Sequence, residues 1–250
     1  MPIRVLAVLL AFIFLIACSS TDQASKADEQ RTVEEIYAEA MEEFKDEDWV
    51  AAAALFDIIK LQYPSSAFAD DAQFYVAEIN YARGEYILAA FNYSLVRRSY
   101  PNSEHAKDAL YKSALSYFEI TLPADRDPEY TRKAIAAFAD FQGIYPTDSL
   151  ALRSAEKITE LRDRLAEKQF LSAKQYIILG TNRSALVYFD AVIEDYPDSK
   201  WTEDAFVGKL EILIKQKKAD EARSTVAFYR RTVRDGRLRG RIDELEKEIQ

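Results

Sequence analysis

The sequence predicts an all-α fold, a superhelix of five helix-turn-helix repeats closed by a C-terminal capping helix. Two observations carry that expectation. The first is a spaced repeat. Four of the seven prolines follow a tyrosine, in Tyr63-Pro64-Ser65-Ser66, Tyr100-Pro101-Asn102-Ser103, Tyr145-Pro146-Thr147-Asp148-Ser149 and Tyr196-Pro197-Asp198-Ser199. An aromatic stands eight residues before each of these prolines (Phe56, Tyr93, Phe138, Phe189), and an alanine stands four residues before each aromatic (Ala52, Ala89, Ala134, Ala185). Six residues past each closing serine another alanine appears: Ala72, Ala109, Ala155 and Ala205. The second observation is composition. The chain has 36 alanines against 6 glycines, which favours helices over glycine-punctuated β structure or nucleotide-binding loops.

The four prolines lie 37, 45 and 51 residues apart. A small residue, an aromatic four on and a proline eight later resembles the second helix of a tetratricopeptide repeat, whose basic period is about 34 residues. The physics agrees with the resemblance. Residues at i and i+4 share a helix face, where the alanine admits a close neighbour and the ring fills the space beyond it. Proline cannot continue a helix, and the Ser or Asp after it suits the cap of the next one. Each helix pair leaves an apolar side open, so successive pairs must stack.

Taken in order, the first repeat runs from Val33 to Tyr63 and turns at Asp46-Glu47-Asp48. The second spans Ala67 to Tyr100 and turns at Gly84, where glycine suits a left-handed cap. The third spans Glu104 to Tyr145 and carries an insertion, Leu122-Pro123-Ala124-Asp125-Arg126-Asp127-Pro128. The fourth has an extended first helix from Leu150 to Leu179, then a turn at Gly180-Thr181-Asn182. The fifth runs from Lys200 to Val233, with the capping helix starting at Leu238. Its second helix has Ala222 followed by Val226 rather than an aromatic, as a terminal repeat allows.

The N-terminus reads as an address. Arg4 precedes an uninterrupted apolar run of 13 residues from Val5 to Ala17, short of the ~20 needed to span a bilayer. The run ends in Leu15-Ile16-Ala17-Cys18, followed by Ser19-Ser20, and this resembles the lipobox of bacterial lipoproteins. That resemblance implies a signal peptide over 1–17 and a mature N-terminal Cys18 carrying diacylglycerol and an N-acyl chain such as palmitate. Ser19 rather than Asp after the cysteine implies the outer membrane. The polar stretch 18–31 reads as a tether. The remainder divides into repeats 1–3 (32–145) and repeats 4–5 with the capping helix (146–250).

Composition excludes much chemistry. A net charge of −9 argues against nucleic-acid binding, which needs a basic footprint. A lone cysteine excludes an internal disulfide, and a lone histidine (His105) argues against His-based metal sites and Ser/His or Cys/His hydrolases. No phosphate-binding loop, Gly-x-Ser-x-Gly or His-Glu-x-x-His occurs. Asp125, Asp127 and Glu129 share the insertion, but Arg126 and Pro128 fit a calcium loop badly. The expectation is no enzyme, no catalytic residue, no metal and no cofactor apart from the lipid on Cys18.

What remains is surface. The first helix of each stacked pair lines the inner side. Threading the repeat places Tyr37, Met41, Phe44, Phe74, Glu78, Tyr81, Tyr111 and Phe118 there, as a trough for an extended or helical peptide. Any one of these residues taken singly also reads as packing between repeats, though less readily all eight together. Charge is uneven along the chain. Asp28 to Asp71 holds 13 acidic and 3 basic residues, whereas Lys209 to Gln250 holds 12 basic and 8 acidic. Arg230, Arg231 and Arg234 open a C-terminal arginine cluster that includes Arg237, Arg239 and Arg241. This is a docking surface for an acidic partner domain, a solvated face interleaved with Asp235 and Glu244, or a contact for lipid headgroups.

Signal, lipobox, tether and repeats together resemble the BamD family, lipoproteins of the β-barrel assembly machinery of the bacterial outer membrane. The most specific segments are Asp125-Arg126-Asp127-Pro128, Ala137-Phe138-x-x-Phe141 before Tyr145-Pro146, Leu161-x-Asp163-Arg164-Leu165-Ala166, and Asp195-Tyr196-Pro197-Asp198. The resemblance implies a non-catalytic scaffold on the periplasmic face of the outer membrane. Its partners would be the periplasmic domains of the barrel-forming insertase, bound through the C-terminal repeats, and other assembly lipoproteins. Its N-terminal repeats would receive C-terminal targeting segments of unfolded outer-membrane proteins. Two alternatives are another periplasmic repeat adaptor coordinating envelope synthesis and a cell-wall-active lipoprotein enzyme.

Overall fold

The computed structural model describes residues 31–249. The expected signal (1–17), Cys18 and the tether as far as residue 30 lie outside the described residues. Among the described residues the chain forms eleven α-helices and no strand. They are α1 (Val33–Lys45), α2 (Trp49–Gln62), α3 (Ala69–Ala82), α4 (Tyr86–Ser99), α5 (Ala106–Glu119), α6 (Glu129–Ile144), α7 (Ser149–Ile178), α8 (Asn182–Asp195), α9 (Thr202–Lys215), α10 (Ala219–Thr232) and α11 (Arg239–Lys247). From α1 to α10 each helix packs on the next, and α11 packs on α9 and α10, the arrangement of stacked hairpins.

Local chemistry sets the ends. Thr32 and Glu35 form a reciprocal capping box at the start of α1, with Glu35 N donating to Thr32 Oγ1 (3.2 Å) and Thr32 N to Glu35 Oε2 (2.9 Å). Asp48 caps α2 and Asp148 caps α7 in the same sense. Four of the five hairpins turn through one three-residue connector whose middle residue is left-handed. Gly84 (φ 72°) and Gly180 (φ 73°) fill that position in repeats 2 and 4, and Glu47 (φ 60°) and Lys217 (φ 57°) fill it in repeats 1 and 5. In each, the residue after it donates back five residues along the chain, as Glu85 N does to Asn80 O (2.8 Å) and Lys218 N to Leu213 O (2.9 Å).

The repeat pattern is the core. Ala52, Ala89, Ala134 and Ala185, with Phe56, Tyr93, Phe138 and Phe189, are all fully buried. Ala72, Ala109 and Ala205 are buried too, but Ala155 is only half-buried, and Ser154 takes the position instead. The reason is the extra residue in Tyr145–Ser149. Helix α7 begins at that serine, whereas α3, α5 and α9 begin three residues after theirs.

Helix α7 joins the two ends of the row. Its 30 residues make a rod of about 45 Å. Leu161, in its first half, joins Ala134 and Phe138 of α6, while Ala166 and Ala173 join Ala185 and Phe189 of α8. Polar groups fix the rod on both sides. Arg164 donates to Thr121 Oγ1 (2.5 Å) and Lys168 to the Arg126 carbonyl (2.8 Å), seating the insertion of repeat 3. Arg162 donates to both oxygens of Asp198 (3.1 and 2.6 Å) and to the Asp195 carbonyl (3.0 Å). Asp163 accepts from Ser199 Oγ (2.7 Å) and Lys200 N (3.0 Å). The two sequence segments that are not generic repeat features meet, with Leu122, Pro123, Arg126 and Pro128 of the insertion around one small recess with Arg164 and Leu165. Within the insertion, Asp127 Oδ1 accepts from Glu129 N (2.9 Å) and Glu129 pairs with Lys133 (2.7 Å), so these carboxylates start α6.

At the C-terminal end Glu203 gathers the connector to α11. It accepts from Tyr229 Oη (2.8 Å), Arg237 N (3.0 Å) and Leu238 N (2.9 Å), and Ile242 and Leu245 of α11 are buried beneath it in the same core as α9 and α10.

Candidate partner-binding surfaces

The eight expected trough residues sit on α1, α3 and α5, and seven of them are partly exposed. On α1, Tyr37 stacks on Phe68 (4.6 Å) and Phe44 meets Trp49, Phe56 and Tyr75 edge-on (5.3, 6.5 and 5.0 Å), with Met41 packed on the same cluster. On α3, Tyr81 packs edge-on to Tyr86 (5.1 Å) and donates to Glu119 Oε1 (3.3 Å). On α5, Tyr111 leans on Phe138 and Phe141, and Phe118 lies beneath two cations, Lys157 Nζ at 3.8 Å and Arg164 at 5.6 Å from its ring centre.

Phe74 corrects the threaded expectation. It is only 7% exposed, belongs to the core of repeat 2 and is covered by the His105 ring stacked 4.2 Å away. An aromatic at helical spacing here fills the space between repeats rather than lining an open wall.

Polar links between first helices, which the sequence pattern did not reveal, organise this face. Tyr37 Oη donates to Asp71 Oδ2 (3.0 Å), and Asp71 Oδ1 lies 2.9 Å from His105 Nε2, so one carboxylate joins three successive repeats. Glu78 Oε1 accepts from Tyr93 Oη and Lys112 Nζ, both at 2.5 Å. Lys107 pairs with Asp148 (2.9 Å). Burial and these carboxylates push the phenols of Tyr37 and Tyr93 far above their ordinary value, and burial with Glu119 brings Tyr81 to about 12. Each phenol is thereby kept as a neutral donor. Asp71, Glu104 and His105 also bring three possible metal-ligand atoms within 4.8 Å of one another, the one such grouping among the described residues. The hydrogen bond to Asp71 and the stack on Phe74 suffice to hold His105 in that place.

The arginine cluster divides. Arg230 is held by Asp243 (3.1 Å) and Glu246 (2.5 Å), Arg237 by Asp204, and Arg241 by Glu211 (3.0 Å) and Glu244 (3.2 Å). Arg230 and the Arg241–Glu211 pair fasten α11 to α10 and α9, and Arg237 ties the connector before α11 to α9. Arg231 lies over the Phe228 ring (5.2 Å), and Arg234 is exposed with no ion pair among the described residues. Surface hollows of 470 and 440 Å³ adjoin this region, one lined by Ile214, Lys218 and Ile249 and the other by Lys209, Thr225 and Phe228.

Stacked hairpins of two helices, four of the five with a small residue and an aromatic on the facing side and a proline at the exit, define a tetratricopeptide-type repeat protein. The chain belongs to the YfiO family, described as outer membrane lipoproteins, whose profile matches residues 29–228. It is 27% identical over 203 residues to the outer membrane protein assembly factor BamD of Caulobacter vibrioides, spanning 79% of this chain and 67% of that one. It is 25% identical over 204 residues to the BamD of Neisseria meningitidis serogroup B, spanning 76% of each. Among solved structures, the tetratricopeptide domain of P58(IPK) superposes with a TM-score of 0.45 at 16% identity, over 92% of this chain and 57% of that one.

Proposed function

We propose that this chain is a non-catalytic scaffold in the assembly of outer-membrane proteins, tethered to the periplasmic face of the outer membrane through lipid on Cys18. The observation that carries this reading is the family match over residues 29–228 together with relatives named as outer membrane protein assembly factors. Repeats 1–3 receive the C-terminal segment of an unfolded outer-membrane protein. Repeats 4–5 dock the periplasmic domains of the insertase, with Arg231 and Arg234 offering cations not held by carboxylates of α11.

Physical support for the peptide trough comes from Tyr37, Met41, Phe44 and Tyr81, which combine part-exposed apolar surface with fixed phenol donors. An aromatic side chain buried against them contributes roughly 1.5–3 kcal/mol. Affinity capture from detergent-solubilised envelopes tests the scaffold: recovery of a large β-barrel protein with tandem periplasmic domains is expected, and its absence removes the assembly role. Titration of a labelled peptide ending in an aromatic residue tests the trough. Tyr81→Ala should weaken it with little change in the thermal midpoint, and unchanged affinity removes the trough. Phe74→Ala is not a clean probe, because it empties the repeat-2 core. Cys18→Ser should release the protein from the membrane fraction.

A further inference from the structure

A hollow of 490 Å³ opens between α4 and α6, the second helices of repeats 2 and 3, and none of the eight trough residues lines it. Leu110 and Tyr117 of α5 form its floor, Arg97 and Arg98 stand on the α4 wall, and Ala137 and Asp140 stand on the α6 wall. Ser94, another lining residue, shares a helical stripe with Phe91, Ile87 and Arg98. Phe91 and Ile87 are 53% and 54% exposed, with Leu88 beside them at 52%. Large apolar side chains clustered on an outer helix face, next to a hollow, mark an interaction surface rather than ordinary scatter.

Two cations unpaired among the described residues stand beside it, unlike several others in repeats 1–3. Lys60, Arg83, Lys107, Lys112 and Lys133 are each held by a carboxylate. Arg97 and Arg98 are exposed and enter no ion pair or hydrogen bond among the described residues. Two adjacent free guanidiniums on a chain of net charge −9 form a local positive site, and guanidinium forks match carboxylates bidentately. Asp140 on the opposite wall fixes polarity, because it repels a second acid at that side.

We infer that this hollow docks an acidic polypeptide segment from a partner protein. Its carboxylates meet Arg97 and Arg98, an aromatic or branched apolar side chain between them rests on Leu110, Tyr117 and Ala137, and its flank runs along Phe91 and Ile87. A membrane is the poorer occupant, since a recess walled by two helices admits side chains rather than a bilayer plane, and Asp140 opposes anionic headgroups. The site uses different residues from the trough and stands or falls apart from it.

The test is fluorescence anisotropy with the full chain and a labelled twelve-residue peptide carrying an Asp-Glu-Phe-Asp-Glu core, beside the same peptide with lysine in place of each acid. The acidic peptide should bind and the lysine peptide should not. Arg97→Glu with Arg98→Glu should weaken binding about tenfold or more, with an unchanged thermal midpoint because both side chains are exposed. Ala137→Trp, which fills the recess, should do the same, and Tyr81→Ala on the other face should leave binding intact. Equal binding of both peptides, indifference to the double charge reversal, or binding of phosphatidylglycerol vesicles with none of the acidic peptide overturns the proposal. If Ala137→Trp fails to fold, the arginine variant decides alone.

Discussion

The two halves of the hairpin row are built differently. From Ala166 onward the buried apolar side chains merge into one cluster of sixteen residues that draws on α7 through α11. Before it they fall into clusters of nine, six and four residues. The N-terminal half supplements these small cores with polar links between repeats, Tyr37–Asp71–His105, Glu78–Lys112 and Lys107–Asp148. Contiguous apolar burial makes a cooperative unit, whereas small clusters joined by hydrogen bonds open locally. The difference teaches where adaptability resides: the half carrying the candidate trough residues is also the half with the divided core.

The largest expected effect tests that contrast directly. Phe189→Ala should cost about 3–5 kcal/mol and speed amide exchange across α8 to α11 together. Phe138→Ala removes a ring of the same size from the four-residue cluster, and its faster exchange should stay within α5 and α6. Uniform acceleration over the whole chain in both variants would make the halves one unit.

Smaller effects sharpen the comparison at the C-terminal end. A Cβ on Gly236 would collide with Tyr229 Oη and Glu203 Oε2. Gly236→Ala should therefore cost roughly 1–3 kcal/mol in urea unfolding and expose α11 to proteolysis. Burial and the bond to Glu203 raise the Tyr229 phenol to about 12. A raised phenol favours the folded state while neutral, so this contribution is complete below pH 10 and is lost as pH rises from 10 to about 12. Tyr229→Phe should flatten the fall of stability in that window. Arg162→Ala should cost about 1 kcal/mol, a figure kept low because Asp198 is half exposed. Arg162 also holds the Asp198 carboxyl below its ordinary range, so this link should survive mild acid and be lost only as pH falls through that lowered value.

The smallest change is a gain. Glu47 and Lys217 hold the left-handed conformation that Gly84 and Gly180 adopt without strain. Lys217→Gly should raise stability by about 0.5–1 kcal/mol, and Gly84→Ala should lower it by a similar amount, both read from the urea midpoint.

Much of the fold was legible because its punctuation is chemical. Tyrosine and proline end the second helix of the first four repeats, and the aromatic and alanine eight and twelve residues before each proline identify the buried face. The exceptions have physical causes. Thr147 lengthens one connector and moves the buried small residue from Ala155 to Ser154. No sequence signal marked Lys217 as left-handed, since lysine has no preference for that conformation. The candidate surfaces were less legible. Periodicity assigns a residue to a helix face but says nothing of what covers it, so Phe74 beneath His105 read the same as Tyr81, which is open. Partners such as Asp71, Glu119 and Lys157 come from other repeats, at separations that no local pattern encodes.

Helix α7 also sets a phase. Leu161 meets one half of the molecule, and Ala166 and Ala173 meet the other, so the number of residues between them fixes the azimuth at which the halves face one another. One residue added between Leu161 and Ala166 would swing everything downstream by about 100° and advance it by about 1.5 Å. A full seven-residue insertion would nearly restore the bearing while lengthening the spacer by about 10 Å. The length of this rod is thus a dial for the angle between two surfaces, read in whole residues.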